Sequence, residues 1–115
     1  IHHYFTGDEK IWKDISYWYE QVDDQLYLYI EPQVDVEYIF NTYSAYWGDI
    51  RIEHLDSGFL LDYSYYGGEE SNWERDLYTI HITNDIPSGT YQWVADEYAL
   101  TGECFGSAVV EFEID

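Results

Sequence analysis

The chain has 115 residues, of which 24 are Asp or Glu and 4 are Lys or Arg, so its formal net charge is −20. That length fits one domain, and we expect residues 1–115 to form a single domain. The charge argues against direct nucleic-acid binding, because proteins gain affinity for phosphates through Lys and Arg. No apolar run approaches the roughly 18 residues of a membrane-spanning helix, so no transmembrane segment is expected.

Aromatic side chains make up 21% of the residues, with 14 Tyr, 5 Trp and 5 Phe. High net charge favours disorder, whereas aromatic rings bury large areas and favour a packed core. The aromatic content therefore predicts a folded domain. The single cysteine, Cys104, excludes an intrachain disulfide.

The predicted elements follow from hydrophobic periodicity, taken in chain order. The chain begins without Met, which suggests a mature form or an excised fragment. His2-His3 are expected to belong to a flexible terminus, and a cloning-tag remnant is the alternative interpretation. Residues 11–20 have apolar side chains at both helical and strand spacing, and their β-branched and aromatic content favours a strand. Period-two alternation predicts about eight strands, near residues 11–19, 25–30, 34–41, 49–54, 58–66, 74–82, 90–98 and 107–114. Such spacing predicts an all-β fold, a single antiparallel β-sandwich.

The segment before the seventh predicted strand reads Asp85-Ile86-Pro87-Ser88-Gly89-Thr90-Tyr91. A turn with Gly two residues before a strand-starting Tyr is similar to the tyrosine corner of immunoglobulin-like domains. The resemblance implies an immunoglobulin-like sandwich in which Tyr91 is buried and its hydroxyl bonds to backbone. In that family a cysteine follows two residues after the Tyr, whereas Trp93 stands here, so the disulfide between the sheets is missing. An ordinary Pro-Gly hairpin turn is the alternative interpretation.

A second resemblance concerns localisation. Residues 66–73 repeat the pattern of residues 5–12, and chance together with the chemistry shared by strand starts is the alternative explanation of the repeat. Residues 66–73 include the element Gly-Glu-Glu-Ser-Asn-Trp, which ends at Trp73. With one extra residue, this element resembles a Gly-Glu-Ser-x-x-Trp element of small β-sandwich domains in secreted Gram-positive lipoproteins. The resemblance implies a bacterial protein that is extracellular or anchored at the cell surface.

The residue types of common catalytic and metal sites do not fall into their usual patterns. No G-x-S-x-G nucleophile motif and no D-x-[DN]-x-[DN]-G calcium loop occurs. His54 and His81 lie in different predicted strands, and Cys104 follows Glu103, whose charge disfavours a reactive thiolate. We therefore expect no enzyme activity, no catalytic or metal residue and no cofactor. A divalent site assembled from separate acidic loops stays open as an alternative.

Consecutive aromatic residues indicate a binding surface, because alternate residues of a strand point to opposite faces. Exposed Tyr and Trp are common at interfaces, where they offer rigid amphipathic area. Tyr that merely replaces other exposed strand residues is the alternative interpretation. The candidate partner-binding aromatics are Tyr43, Tyr46, Trp47, Tyr65 and Trp73.

Three functions remain in view. The first is a non-enzymatic interaction module at the cell surface, with a protein or carbohydrate partner. The second is an acidic nucleic-acid mimic that inhibits a DNA-binding protein, which requires the acids to cluster on one face. The third is a carbohydrate-binding module, which requires a planar row of exposed Tyr or Trp.

Overall fold

The structure is a computed structural model that describes residues 2–43, 46–68 and 76–115. Within these residues a 3₁₀ turn covers Glu9–Ile11, and the α-helix α1 covers Val36–Tyr43. The strands are β1 (His2–Gly7), β2 (Trp12–Val22), β3 (Gln25–Val34), β4 (Tyr46–His54), β5 (Leu60–Gly68), β6 (Asp76–His81), β7 (Gly89–Ala99) and β8 (Cys104–Ile114).

The strands form two antiparallel sheets, one in the order β1-β8-β7-β4-β5 and the other in the order β2-β3-β6. This order corresponds to the G-F-C-C′ and A-B-E sheets of an immunoglobulin-like sandwich, with β1 added beside β8. The predicted all-β sandwich of about eight strands is therefore confirmed. The strand predicted over residues 11–19 is confirmed as well, since β2 covers most of it.

The core lies between the two sheets and is rich in aromatic rings. Trp93, Tyr91 and Phe112 are the largest fully buried side chains. Trp93 Nε1 donates a hydrogen bond to the Tyr78 hydroxyl at 3.1 Å, which ties β7 to β6 across the sandwich. These rings bury the apolar area that a chain of such high charge needs in order to fold.

The tyrosine corner predicted at residues 85–91 is present at the start of β7. Tyr91 is fully buried, and its hydroxyl donates to the Pro87 carbonyl oxygen at 2.5 Å. Gly89 has a φ of +130°, and a Cβ there would lie 2.8 Å from His54 Nε2. The turn therefore requires glycine for its backbone conformation and for the close approach of His54.

The strand predicted over residues 34–41 is wrong, because α1 occupies most of that segment. The Asp35 carboxylate accepts from the backbone N–H of Tyr38 at 3.0 Å, which caps the helix. Ile39 is fully buried, and Tyr43, four residues later, packs against the same core. The cap and this i, i+4 pair favour the helix over the alternation of apolar and acidic residues.

The flexible terminus expected at His2-His3 is also wrong, because both residues lie in β1. β1 pairs with β8 from His2↔Glu111 to Gly7↔Gly106. It thereby covers one edge of β8, which would otherwise expose unpaired backbone groups.

Candidate functional site

The outward side chains of β4, β7 and β5 form a surface that we call the Arg51 face. Register places Trp47 opposite Tyr98 and Asp49 opposite Asp96. The Trp47 and Tyr98 rings stack with centroids 4.2 Å apart and planes inclined by 16°. The face consists of Trp47, Asp49, Arg51 and Glu53 from β4, Gln92, Asp96 and Tyr98 from β7, and Tyr63 from β5.

Arg51 lies at the centre of this face and pairs with the carboxylates around it. Its Nε donates to Glu53 Oε1 at 3.2 Å, and its Nη1 donates to Asp96 Oδ2 at 2.5 Å. Asp96 also accepts from the Ser107 hydroxyl, and Glu53 accepts from Gln92 Nε2 at 2.6 Å. Glu53 and Asp96 are thus held in place by charge-assisted and neutral donors together.

Asp49 is the carboxylate of this face that Arg51 stabilises least. Its Oδ1 lies 3.8 Å from Arg51 Nη1, which is an ion pair but too long for a hydrogen bond. That oxygen is buried and accepts no hydrogen bond from the described residues. Burial, and after it the negative charge of Asp96, raises the pKa of Asp49. A further donor or positive charge would therefore stabilise the Asp49 carboxylate.

The structure brings one described side chain of the predicted aromatics to the Arg51 face. Trp47 lies on it, beside Asp49. The Tyr65 backbone pairs with that of Asp49 in the β4–β5 ladder, and Tyr46 is the first residue of β4. The side chains of Tyr46 and Tyr65, and the whole of Trp73, lie outside the described residues.

Tyr43 lies elsewhere, in the packing of α1. Its ring stacks on Phe105 with centroids 4.0 Å apart, and its hydroxyl donates to Asp8 Oδ2 at 2.7 Å. The Tyr38 hydroxyl donates to the same oxygen at 2.7 Å. Burial, together with the hydrogen bond to Asp8, raises the pKa of Tyr43 to about 12. Tyr43 therefore fastens α1 to the turn that precedes β2.

Glu97 is a buried acid that the alternation of β7 could have identified. Tyr91 and Trp93 point into the core, and Glu97 continues the same period-two series. Neither carboxylate oxygen of Glu97 has a hydrogen-bond partner among the described residues. Its neighbours on the adjacent strands are Gly48 and Gly106, and burial raises the pKa of Glu97 to about 10. Glu97 is therefore a neutral acid at pH 7.

The histidine and cysteine side chains of interest make structural contacts. His54 is buried, with Nδ1 accepting from the Ser57 backbone N–H at 3.1 Å and Nε2 donating to the Ser88 carbonyl oxygen at 3.0 Å. Cys104 forms no disulfide and is exposed, and its Sγ donates to the Gly106 carbonyl oxygen at 3.8 Å. Over the described part of the chain, no group of three or more His, Cys, Asp or Glu side chains is arranged to hold a metal ion.

No protein-family model matches this chain, and no curated protein matches it. The fold and the site define the chain as an all-β sandwich of two antiparallel sheets with an acidic and aromatic outer face. Neither helix in the described ranges has the length and apolar content that crossing a bilayer requires.

Proposed function

We propose that this chain is a non-enzymatic binding module of an extracellular or cell-surface bacterial protein. Its Arg51 face binds a Lys or Arg side chain on a protein partner. The observation that carries the proposal is Asp49, whose side chain is 16% exposed and whose described partners are distant: Arg51 Nη1 lies 3.8 Å from Oδ1, and the Tyr63 hydroxyl lies 3.5 Å from Oδ2. An incoming ammonium or guanidinium group supplies a closer donor and a positive charge.

The surroundings of Asp49 favour a cation over other ligands. The stacked Trp47 and Tyr98 rings lie in the adjacent row of the sheet, and Tyr63 is 53% exposed beside the carboxylate. Aromatic faces attract cations, and Tyr and Trp are enriched at protein interfaces. The net charge of −20 also steers a basic partner towards the domain. Charge complementarity and the local site thus favour the same kind of partner.

The nucleic-acid mimic is a weaker alternative, because a mimic needs carboxylates clustered on one face. Here acids occupy the Arg51 face, the opposite face at Glu20 and Glu31, and turns at Asp24 and Asp56. This distribution supports a general acidic surface. The extracellular location is supported by the lipoprotein-like element that ends at Trp73.

The proposal is tested with a tetra-arginine peptide as the probe, titrated into the protein by calorimetry. Asp49→Asn removes the charge at the site, and Asp56→Asn removes the same charge from an exposed turn. We expect Asp49→Asn to raise the Kd about tenfold, the loss of one charge-assisted hydrogen bond. Asp56→Asn should change it by less than about twofold. Equal weakening by both variants would mean that only net charge attracts the peptide, which would refute the site.

The location is tested by labelling intact cells of the source organism with antibody against the domain. Labelling of intact cells supports an extracellular or surface module. Labelling that needs lysis would contradict it.

A further inference from the structure

The outer face of the three-stranded sheet carries a second set of exposed aromatic and apolar side chains, which we call the Trp18 face. Register places Trp18, Tyr29 and Leu77 in one row across β2, β3 and β6. Trp18 is 47% exposed and Leu77 is 53% exposed. The face consists of Trp18, Glu20 and Val22 from β2, Tyr27, Tyr29 and Glu31 from β3, and Leu77 and Thr79 from β6.

The two rings of the central row are nearly parallel. The Trp18 and Tyr29 centroids lie 5.9 Å apart, and the ring planes are inclined by 14°. The Tyr29 hydroxyl donates to Glu31 Oε2 at 2.6 Å, which fixes the direction of that ring. Because the backbone of both residues is held in the β2–β3 ladder, little conformational entropy is lost when a ligand covers them.

We propose that the Trp18 face binds an uncharged polysaccharide of pyranose units. A pyranose ring has faces of C–H groups, which pack on aromatic rings, and a rim of hydroxyl groups. Hydroxyls at the rim donate hydrogen bonds to carboxylates beside the rings, and Glu31 and Glu20 lie in the rows on either side of Trp18. The row of Trp18, Tyr29 and Leu77 crosses three strands, so it supports successive units of a chain.

Charge decides between this ligand and the other occupants of such a face. An anionic glycan is repelled by the net charge of −20 and by Glu20 and Glu31 at the face. A second copy of the chain would bring the same two carboxylates towards their own copies, which costs energy. A basic protein surface is the remaining occupant, and tetra-arginine binding distinguishes it from a neutral polysaccharide. This proposal does not rest on the Arg51 face.

The experiment measures retention on insoluble cellulose and chitin, and titration with cellohexaose and chitohexaose. Trp18→Ala removes the exposed ring, and Leu100→Ala is the control, since Leu100 is 70% exposed in the turn between β7 and β8. We expect the natural chain to be retained on at least one of these neutral polymers. Trp18→Ala should weaken binding about tenfold or more, whereas Leu100→Ala should leave it within about twofold.

Three results would overturn the proposal. The first is no binding of the natural chain to any of the four neutral probes. The second is equal loss in Trp18→Ala and Leu100→Ala, which would indicate unspecific apolar adhesion. The third is a loss of tetra-arginine binding in Trp18→Ala without a loss of polysaccharide binding, which would assign this face to a basic protein. Near-UV circular dichroism verifies that each variant is folded.

Discussion

Replacing Glu97 by Gln removes an ionisable group from the core while keeping its shape. The Glu97 side chain is 0% exposed, and both its oxygens lack hydrogen-bond partners among the described residues. Gly48 and Gly106 flank it on the adjacent strands, so no neighbouring side chain there supplies a donor. Ionising this carboxyl in the folded state would place an uncompensated charge in an apolar environment.

The sign of the effect follows from the pKa in the two states. Burial raises the pKa of Glu97 from 4.5 to about 10, so the folded chain holds the proton at neutral pH and the unfolded chain releases it. The stabilising contribution of the protonated form is therefore complete below about pH 4.5 and is lost as pH rises towards the folded-state pKa. One pH unit corresponds to about 1.4 kcal/mol. At pH 7 proton release from Glu97 in the unfolded state therefore lowers the unfolding free energy of the natural chain by about 3 kcal/mol. A chain without an ionisable group at position 97 does not have this loss.

The measurement is urea denaturation of the natural chain and Glu97→Gln at pH 5, 6, 7 and 8. The two proteins share every other acidic group, so repulsion among those groups largely cancels in the difference. Any change in unfolding free energy that the amide causes relative to the neutral acid does not depend on pH and so does not affect the slope of the difference against pH. We expect the unfolding free energy of Glu97→Gln minus that of the natural chain to increase by about 2.5 kcal/mol between pH 5 and pH 7.

Glu103→Gln, which changes an exposed acid in the turn between β7 and β8, is the control and should show a shift below about 0.5 kcal/mol. A difference between the natural chain and Glu97→Gln that stays constant with pH would refute the reasoning. It would mean that Glu97 has the same protonation in the folded and unfolded states.

Two further predictions concern the tyrosine corner and the net charge. Tyr91→Phe leaves the Pro87 carbonyl without its partner and should lower the unfolding free energy by about 1–3 kcal/mol in urea denaturation. Tyr63→Phe, on an exposed ring, is the control and should lower it by less than about 0.5 kcal/mol. Equal losses would contradict a structural role for the Tyr91 hydroxyl. At pH 7 the melting temperature should rise with added sodium chloride, because ions screen repulsion at a net charge of −20. A melting temperature that does not change with salt would contradict that expectation.

Local patterns predicted the parts of the fold whose cause is local. The tyrosine corner was found because Pro87, Gly89 and Tyr91 lie within a few residues of one another. Residues 34–41 could not be assigned in this way, because two patterns overlap there. Apolar and acidic residues alternate as in a strand, but Ile39 and Tyr43, just beyond the segment, are spaced four residues apart as on one face of a helix. The hydrogen bond from the Tyr38 N–H to Asp35 decides for the helix, and a sequence shows only that such a cap is available.

Non-local pairing explains what local patterns missed. β1 forms because β8 offers an edge, and β8 lies at the other end of the chain. The burial of Glu97, in contrast, could have been predicted from a local pattern, because the alternation that places Tyr91 and Trp93 in the core extends to Glu97. Because buried ionisable groups are rare, the residue type of Glu97 by itself favours a surface position.

Register between strands, more than runs along the chain, determines which aromatic residues can meet a ligand. A run such as Tyr17-Trp18-Tyr19 indicates that one ring points outward, but its neighbours on the sheet come from β3 and β6. Only the pairing of Trp18 with Tyr29, and of Tyr29 with Leu77, turns separate residues into a row. The same holds for Asp49, whose raised pKa depends partly on Asp96 opposite to it in β7. On each face, therefore, the unit that the proposed ligand would contact is a set of cross-strand neighbours, and a single substitution within that set is the change that a binding measurement should detect.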